Sequence, residues 1–348
     1  SISFKALEKI TVEGEVLDAS GQLVTDFTGI VNPTVKDSKV TVTCLKNSNK
    51  DDSPAFTFTD YPNTIFIGND SVRNGKFSFT FTVPKDISYS NLQGKMNLYA
   101  VDTESGNEAQ GNFDNFIVGG TSDTAETDTI GPEIRALYLN DTTFVDGGQV
   151  NTTPYFVAEL WDKSGVNITG SSVGHDMMLV IDESTVLSYN LNSYYELLPG
   201  EDGTGIVKFP IPALEPGKHT AEFWVWDILN NSTVRTFTFE VVEGLKPFLF
   251  DVIATPGIAR EQVTFHLMHN RPESRMRVGI MVYDLAGRQL WKHEESGTSG
   301  LFENYTVSWD LTSGGARMRP GVYIYRAAIS TDNSKDATKA RKFIILGE

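Results

Sequence analysis

The residues that could carry out catalysis are few in this sequence and lie far apart. The single cysteine, Cys44, ends the run Val40-Thr-Val-Thr-Cys44, whose alternation is that of a strand. A nucleophilic cysteine needs a histidine partner on an α/β scaffold, and the pattern of such a scaffold is missing. His175 could pair with the adjacent Asp176, but no histidine stands in a zinc or triad motif; the five are His175, His219, His266, His269 and His293. The sequence therefore predicts no catalytic site.

Acidic residues cluster in two stretches and could hold calcium, because oxygen-rich loops between strands are common calcium sites. Asp102, Glu104 and Asp114 are the first candidates, together with Glu108. A second stretch follows with Asp123, Glu126 and Asp128. The spacing matches no EF-hand, and a solvated acidic surface explains the same residues. Calcium is the one cofactor that this sequence leaves open.

Three tryptophans fall on predicted strands between residues 155 and 226, and exposed aromatics of this kind can bind sugars. Trp224 and Trp226 are two apart and so share one face of a strand, whereas Trp161 ends an earlier strand. One face of a sandwich strand is its core, so we expect these side chains to be core residues.

The end of the chain places a basic cluster beside an apolar strand. Lys339, Arg341 and Lys342 precede the run Phe343-Ile-Ile-Leu346. Such a strand is usually tied into a sheet, and its edge can dock a partner by β-augmentation. The alternative is that these residues only build the domain.

The elements that must position these residues are all strands. Apolar residues alternate with polar ones, as in Phe77, Phe79 and Phe81, and long amphipathic helices are absent. An Asp followed by Gly three or four positions later recurs after strands, at Asp18, Asp102, Asp162 and Asp284, with Asp227 to Asn231 as a variant. The carboxylate can accept backbone hydrogen bonds, and the Gly can take the positive φ that a hairpin turn needs.

Many short strands with such turns predict an all-β fold of three consecutive immunoglobulin-like β-sandwiches. We place them at residues 1–120, 133–245 and 246–348, with a small, polar, acidic linker at residues 121–132.

The charge is divided unevenly along the chain. Residues 246–348 hold 14 Lys+Arg against 11 Asp+Glu, whereas residues 1–245 hold 15 against 34, for a net charge of −16. The basic end is too dispersed to predict nucleic-acid binding. No run of about 20 apolar residues exists. Because the sequence starts at Ser1 without a signal-peptide pattern, we expect a fragment or a mature product.

Several motifs in the last third resemble a known family. Asp284-Leu-Ala-Gly-Arg288, Trp309-Asp310, Pro320-Gly-Val-Tyr323 and Lys339-Ala-Arg-Lys-Phe343 resemble the immunoglobulin-like C-terminal domain of type IX secretion proteins. The stretch His269-Asn-Arg-Pro-Glu-Ser-Arg275 is similar to the surface sortases of that system, which are gingipain-type cysteine peptidases. The resemblance continues upstream at Pro84–Ser88, Asn115–Gly120, Gly131–Ile134 and Phe144–Gly148.

The resemblance implies a non-catalytic C-terminal segment of a sortase that removes C-terminal signals from cargo and attaches the cargo to anionic lipopolysaccharide. Exported cargo would meet the peptidase domain, which this chain lacks. The segment would space that domain and dock, at the cell surface, to an outer-membrane barrel of the type IX system (PorV-like) and other components of the attachment complex. The docking residues that the resemblance implies are Gly287, Pro320, Gly321, Tyr323, Lys339, Arg341, Lys342 and Phe343. Two alternatives are a gingipain-like cargo with a cleavable export domain and a surface adhesin or glycan-binding protein.

Overall fold

The structure, a computed structural model, describes residues 2–45, 55–123, 127–170, 174–198, 203–331 and 333–347. Strands make up nearly all of its regular structure, which confirms the predicted all-β class. The one helical element in the described ranges is a 3₁₀ turn, Asn192–Tyr194. No helix in those ranges has the length and apolar character needed to cross a membrane.

The strands before residue 122 form two sheets and a separate hairpin. The sheets are β1-β12-β9 and β11-β10-β3-β7-β8-β2, with β6 also paired to β3, and the hairpin is β4-β5. The strands are β1 (Ile2–Ala6), β2 (Lys9–Glu15), β3 (Gly29–Lys36), β4 (Val40–Thr43), β5 (Thr57–Asp60), β6 (Thr64–Ile67), β7 (Asp70–Arg73), β8 (Lys76–Thr82), β9 (Leu92–Gln93), β10 (Lys95–Asp102), β11 (Glu108–Phe113) and β12 (Phe116–Thr121).

The strands from residue 133 to residue 241 form two further sheets. These are β13-β15-β19-β18 and β14-β21-β20-β16-β17. The strands are β13 (Glu133–Leu139), β14 (Gln149–Val150), β15 (Tyr155–Trp161), β16 (Met178–Ile181), β17 (Ser188–Asn190), β18 (Tyr195–Leu197), β19 (Gly205–Pro210), β20 (Gly217–Trp226) and β21 (Ser232–Val241).

The last third of the chain repeats this arrangement. Its sheets are β22-β24-β27 and β23-β31-β30-β25-β26, and β28-β29 is a small hairpin. The strands are β22 (Leu249–Thr255), β23 (Ile258–Ala259), β24 (Val263–His269), β25 (Met276–Tyr283), β26 (Gln289–Gly297), β27 (Tyr305–Trp309), β28 (Thr312–Ser313), β29 (Ala316–Arg317), β30 (Gly321–Ser330) and β31 (Ala337–Ile345).

The side-chain period of two explains why each strand has a buried face. In β8, Phe77, Phe79 and Phe81 point into an aromatic core, and the Ser and Thr residues between them are exposed or half-buried. In the last sandwich the core joins both sheets, because Phe265 of β24 packs against Tyr325 and Phe343 of β30 and β31.

In each of the three groups of strands, an early strand pairs in parallel with the final strand of the group. β1 pairs with β12, β14 with β21, and β23 with β31. The last pair ties the end of the chain into a sheet, which confirms the prediction made from the run at Phe343.

By contacts between Cα atoms the chain divides into two compact units. Unit 1 comprises residues 1–137, 158–208 and 220–237, and unit 2 comprises residues 138–157, 209–219 and 238–348. The predicted boundaries at residues 120, 133 and 245 stay a prediction, although each described sheet takes all its strands from one of those sequence ranges.

The predicted Asp and Gly turns are confirmed. In the first of them the amides of Ser20 and Gln22 donate to Asp18 Oδ1 at 2.8 and 2.9 Å. Positive φ values of 82°, 72°, 112° and 82° occur at Gly21, Gly106, Gly165 and Gly287. In the variant turn Asn230 takes the positive φ, at 72°.

Candidate functional site

The candidate docking residues all lie in the last sandwich, but they do different things there. Gly287 is exposed in the turn between β25 and β26, where Asp284 Oδ1 accepts hydrogen bonds from the amides of Ala286 and Arg288. Apart from its two chain neighbours, no described residue lies within 4 Å of where a Gly287 side chain would begin. Gly287 therefore shapes the hairpin and leaves its tip open.

Pro320, Gly321 and Tyr323 lie at the start of β30. The Tyr323 hydroxyl donates to the Arg319 carbonyl at 2.6 Å, and its ring lies 6.0 Å from that of Phe343. Tyr323 and Phe343 are only 8% and 2% exposed. Both aromatic rings thus belong to the core, and a docking role for these two residues stays a prediction.

The basic cluster on β31 is divided between the two faces of the strand. Arg341 Nε and Nη2 donate to the Asp251 carboxylate of β22 at 2.7 and 2.6 Å, and Lys339 Nζ donates to the Phe250 carbonyl. These two cations connect the edges of the two sheets. The Arg341 guanidinium holds the pKa of Asp251 below its ordinary value. Lys342 faces the other way and is exposed.

Lys342 belongs to a larger surface that the sequence motifs did not indicate. It lies opposite Ile324, and Val322 and Arg326 of β30 lie opposite Ile344 and Ala340. We call this surface the outer basic face: Met281, Val322, Ile324, Arg326, Ala340, Lys342 and Ile344. The sequence of β30 could have indicated this surface, because apolar residues occupy both its odd and its even positions. A strand with one solvent-exposed face normally has apolar residues at alternate positions only.

The free edge of β31 is partly covered. β23 pairs with it only at Ile344 and Ile345. Across Ala337–Phe343 no described strand pairs with that edge, so edge docking stays a prediction for this part of the strand.

The stretch His269 to Arg275 forms a buried joint in unit 2. Arg271 is 1% exposed, and its guanidinium donates to the carbonyls of Leu245, Lys246 and Asn270 at 3.1, 3.4 and 3.1 Å. No carboxylate of the described residues lies within ion-pair distance of it, and burial lowers its pKa to about 10. Arg271 therefore acts as a connector between the incoming segment and β24.

His269 beside it is neutral. Its Nδ1 accepts a hydrogen bond from the Arg271 amide at 3.1 Å, so the proton sits on Nε2, which donates to Ser299 Oγ at 2.8 Å. Burial and the charge of Arg271 lower the His269 pKa to about 4.

His175 pairs with Asp86 and not with Asp176. Its Nδ1 lies 2.6 Å from Asp86 Oδ2, and Asp86 also accepts from Asn167 and Asn230 at 3.3 and 3.0 Å. Asp176 Oδ1 accepts a hydrogen bond from Asn192 instead. Asp86 lies between β8 and β9, whereas Asn167 follows β15, His175 precedes β16 and Asn230 follows β20. This cluster therefore joins all three sequence ranges of unit 1.

The calcium candidates of the first acidic stretch do not converge. Asp102 accepts hydrogen bonds from the amides of Ser105, Thr28 and Glu104, and these hydrogen bonds lower its pKa to about 2. Glu104 and Asp114 are exposed and form no group of three acidic or metal-binding side chains with it. Glu126 lies outside the described residues.

The core interpretation of Trp224 and Trp226 is wrong. The two share a face as predicted, but Ala221, Phe223 and Val225 occupy the core face of β20. Both tryptophans are half-buried on the opposite face, where His175 covers Trp226 at 4.5 Å between ring centroids.

The single cysteine, Cys44, is exposed.

Comparison with solved structures finds a likeness that extends over the whole chain. It is to PorU from Porphyromonas gingivalis, solved as a latent dimer, with 38% identity over 100% of this chain and 32% of that one, and a TM-score of 0.41. This chain thus spans about a third of the length of PorU. No family model matches, and no curated protein matches.

Two further solved structures share 9% and 8% identity with the chain. The Ig1-2 module of the Drosophila receptor tyrosine phosphatase DLAR covers 63% of this chain, with 100% of its own length and a TM-score of 0.25. The glucan-utilization protein SGBP-B of Bacteroides ovatus, solved with a heptasaccharide, covers 99% of this chain, with 65% of its own length and a TM-score of 0.26.

Proposed function

We propose that this chain is the non-catalytic C-terminal segment of a cell-surface sortase of the type IX secretion system. The observation that carries the proposal is the 38% sequence identity to PorU across the entire chain. Cleavage of C-terminal signals and attachment of cargo to anionic lipopolysaccharide would then be performed by residues outside this chain. Its own sandwiches would space the peptidase domain and hold it to the outer membrane.

The outer basic face is the surface that we assign to docking. Arg326 and Lys342 are exposed on it, and Val322 is 42% exposed beside them. Apolar area supplies binding free energy, and the two cations supply attraction to an acidic partner surface. Tyr323, Arg341 and Phe343 would support this face from behind, because their contacts lie within the sandwich. The partner would be an outer-membrane barrel protein (PorV-like) of the attachment complex.

The test is co-purification of the full-length protein with that barrel from native membranes. We expect Arg326→Glu combined with Lys342→Glu to reduce the recovered barrel at least tenfold, because two attractions become repulsions. Lys218→Glu combined with Arg235→Glu makes the same change of charge on exposed positions of β20 and β21 and should leave recovery unchanged. Equal recovery with both double variants would overturn the docking assignment.

A second measurement separates the sortase from an exported cargo. Mass spectrometry of the protein from the cell surface should detect peptides that extend through Phe343 to Leu346, since an anchoring domain must be retained. A chain that ends near residues 246–255, with a modification at that end, would instead mean that the last sandwich is a discarded export signal.

A further inference from the structure

Three aspartates from separate turns of unit 1 meet at one point. Asp128 lies ahead of β13, Asp162 directly follows β15, and Asp227 directly follows β20. One carboxylate oxygen of each lies within 4.8 Å of the other two. Asp162 and Asp227 are 8% and 0% exposed, and Asp128 is half-buried. Buried carboxylates at such distances repel one another unless something between them carries positive charge.

Neighbouring donors fix the orientation of the three side chains. The amides of Ser164 and Gly165 donate to Asp162 Oδ1 at 2.8 and 2.9 Å, and Ser164 Oγ donates to Asp128 Oδ2 at 2.6 Å. Asn231 donates through Nδ2 to Asp227 Oδ2 at 2.6 Å and to the Asp128 carbonyl at 3.0 Å. Asp162 Oδ2 accepts no hydrogen bond from the described residues. The cluster is therefore held rigid with one acceptor left open.

The described part of the chain supplies no ion pair to these carboxylates. No Lys or Arg nitrogen in it lies within 4.0 Å of them. The carboxylates of Asp162 and Asp227 are buried away from water, and that of Asp128 lies beside them.

A tyrosine gives a second, independent indication of a ligand. Tyr195 is 8% exposed, and no hydrogen bond joins its hydroxyl to another described residue. It lines a cavity of about 380 Å³ together with Asp162, and Lys9 and Lys163 also line that cavity. A hydroxyl that has no protein partner and borders a polar cavity indicates a ligand or an ordered water there.

We propose that Asp128, Asp162 and Asp227 bind one calcium ion, and that Tyr195 donates a hydrogen bond to a water on that ion. Calcium takes six to eight oxygen ligands in flexible geometry, so three carboxylates and several waters suit it. Zinc prefers nitrogen and sulfur ligands, and magnesium demands near-ideal octahedral geometry. The ion would join three turns that are far apart in sequence and would remove their mutual repulsion.

The test is a calorimetric titration. The chain is first treated with a chelator to remove bound metal, and CaCl₂ alone is then titrated into it. We expect one calcium per chain, with a dissociation constant below about 10⁻³ M. Thermal unfolding should shift to higher temperature as CaCl₂ is added, because an ion that binds only the folded state stabilises it. Absence of stoichiometric uptake at millimolar CaCl₂ would overturn the proposal.

Matched variants locate the site. Asp162→Asn keeps an oxygen for the amides of Ser164 and Gly165, so the turn should persist, and the same substitution can be made at Asp128. Each substitution should weaken calcium binding at least tenfold. In the absence of calcium, Asp162→Asn should unfold at a temperature no lower than that of the wild type. Asp18→Asn changes an equivalent turn outside the cluster and should bind calcium normally. Unchanged affinity in both cluster variants would show that calcium binds elsewhere.

Discussion

Arg341 on the final strand holds Asp251 on β22 through two parallel hydrogen bonds of 2.7 and 2.6 Å. The two strands belong to different sheets, so the pair connects the layers of the last sandwich at their edge. A residue expected from its motif to dock a partner thus has a structural task, and its neighbour Lys342 lies on the opposite face of the strand.

We therefore expect Arg341→Ala and Lys342→Ala to differ in stability. Loss of the bidentate pair should lower the free energy of unfolding slightly but measurably, since the arginine is 51% exposed and water screens the interaction. Lys342→Ala should change the free energy of unfolding by less than about 0.5 kcal/mol. Urea denaturation compares the stability of these two variants. Adding Asp251→Ala and the variant that carries both Arg341→Ala and Asp251→Ala gives the coupling energy between Arg341 and Asp251. A coupling energy of zero would mean that the pair contributes nothing.

The neutral His269 predicts a specific loss of stability in acid. Its pKa of about 4 lies below the ordinary 6.5, so between those values the unfolded chain binds the extra proton and the folded chain does not. Stability should therefore fall as the pH drops from 6.5 to 4, by up to roughly 3 kcal/mol from this group.

His269→Asn isolates that contribution. Asparagine can still accept the Arg271 amide hydrogen bond but does not titrate, so its unfolding free energy should depend less on pH across this window. Denaturation at several pH values compares the two proteins. Parallel pH curves would contradict the assignment of a neutral, buried His269.

The joint at Arg271 should depend on the shape of the guanidinium as well as on its charge. Its hydrogen bonds to the carbonyls of Leu245, Lys246 and Asn270 need a planar fork, which lysine lacks. We expect Arg271→Lys to destabilise the protein by about 2–3 kcal/mol, because buried carbonyls lose their partners. Thermal unfolding measures this. Arg275→Lys is the matched control, and similar losses in the two variants would refute the role of the fork.

The carboxylate of Asp86 should be important to unit 1. Asp86→Ala would leave three donors, from His175, Asn167 and Asn230, without their acceptor, at a cost of about 3 kcal/mol. Asp70→Ala, which removes only a local hydrogen bond to the next amide, should cost less than about 0.5 kcal/mol. Chemical denaturation of the two variants checks the difference, and equal stability would contradict it.

The features that could be predicted from the sequence are those set by nearby residues or by alternation along a strand. The turns at Asp18 and Asp284 followed from residues three or four positions apart, and the buried face of β8 followed from its alternation. Asp86 and His175 are 89 residues apart, and only the packing of strands brings them together. The same holds for Asp128, Asp162 and Asp227, two of which the sequence marked only as turn residues.

The face of a strand was harder to predict than its existence. Trp224 and Trp226 lie opposite the core because Phe223 and Val225 compete for it with the same period. In β31 the alternation itself separates Arg341 from Lys342, although the motif groups them.

The parallel pairing of β1 with β12 has a mechanical consequence. Because both strands run in the same direction, tension between Ile2 and Thr121 pulls them past each other along their length. The load then falls on several hydrogen bonds at once, as shear, and does not open them one by one. A domain connected in this way should unfold slowly under force, a property that single-molecule pulling measures directly.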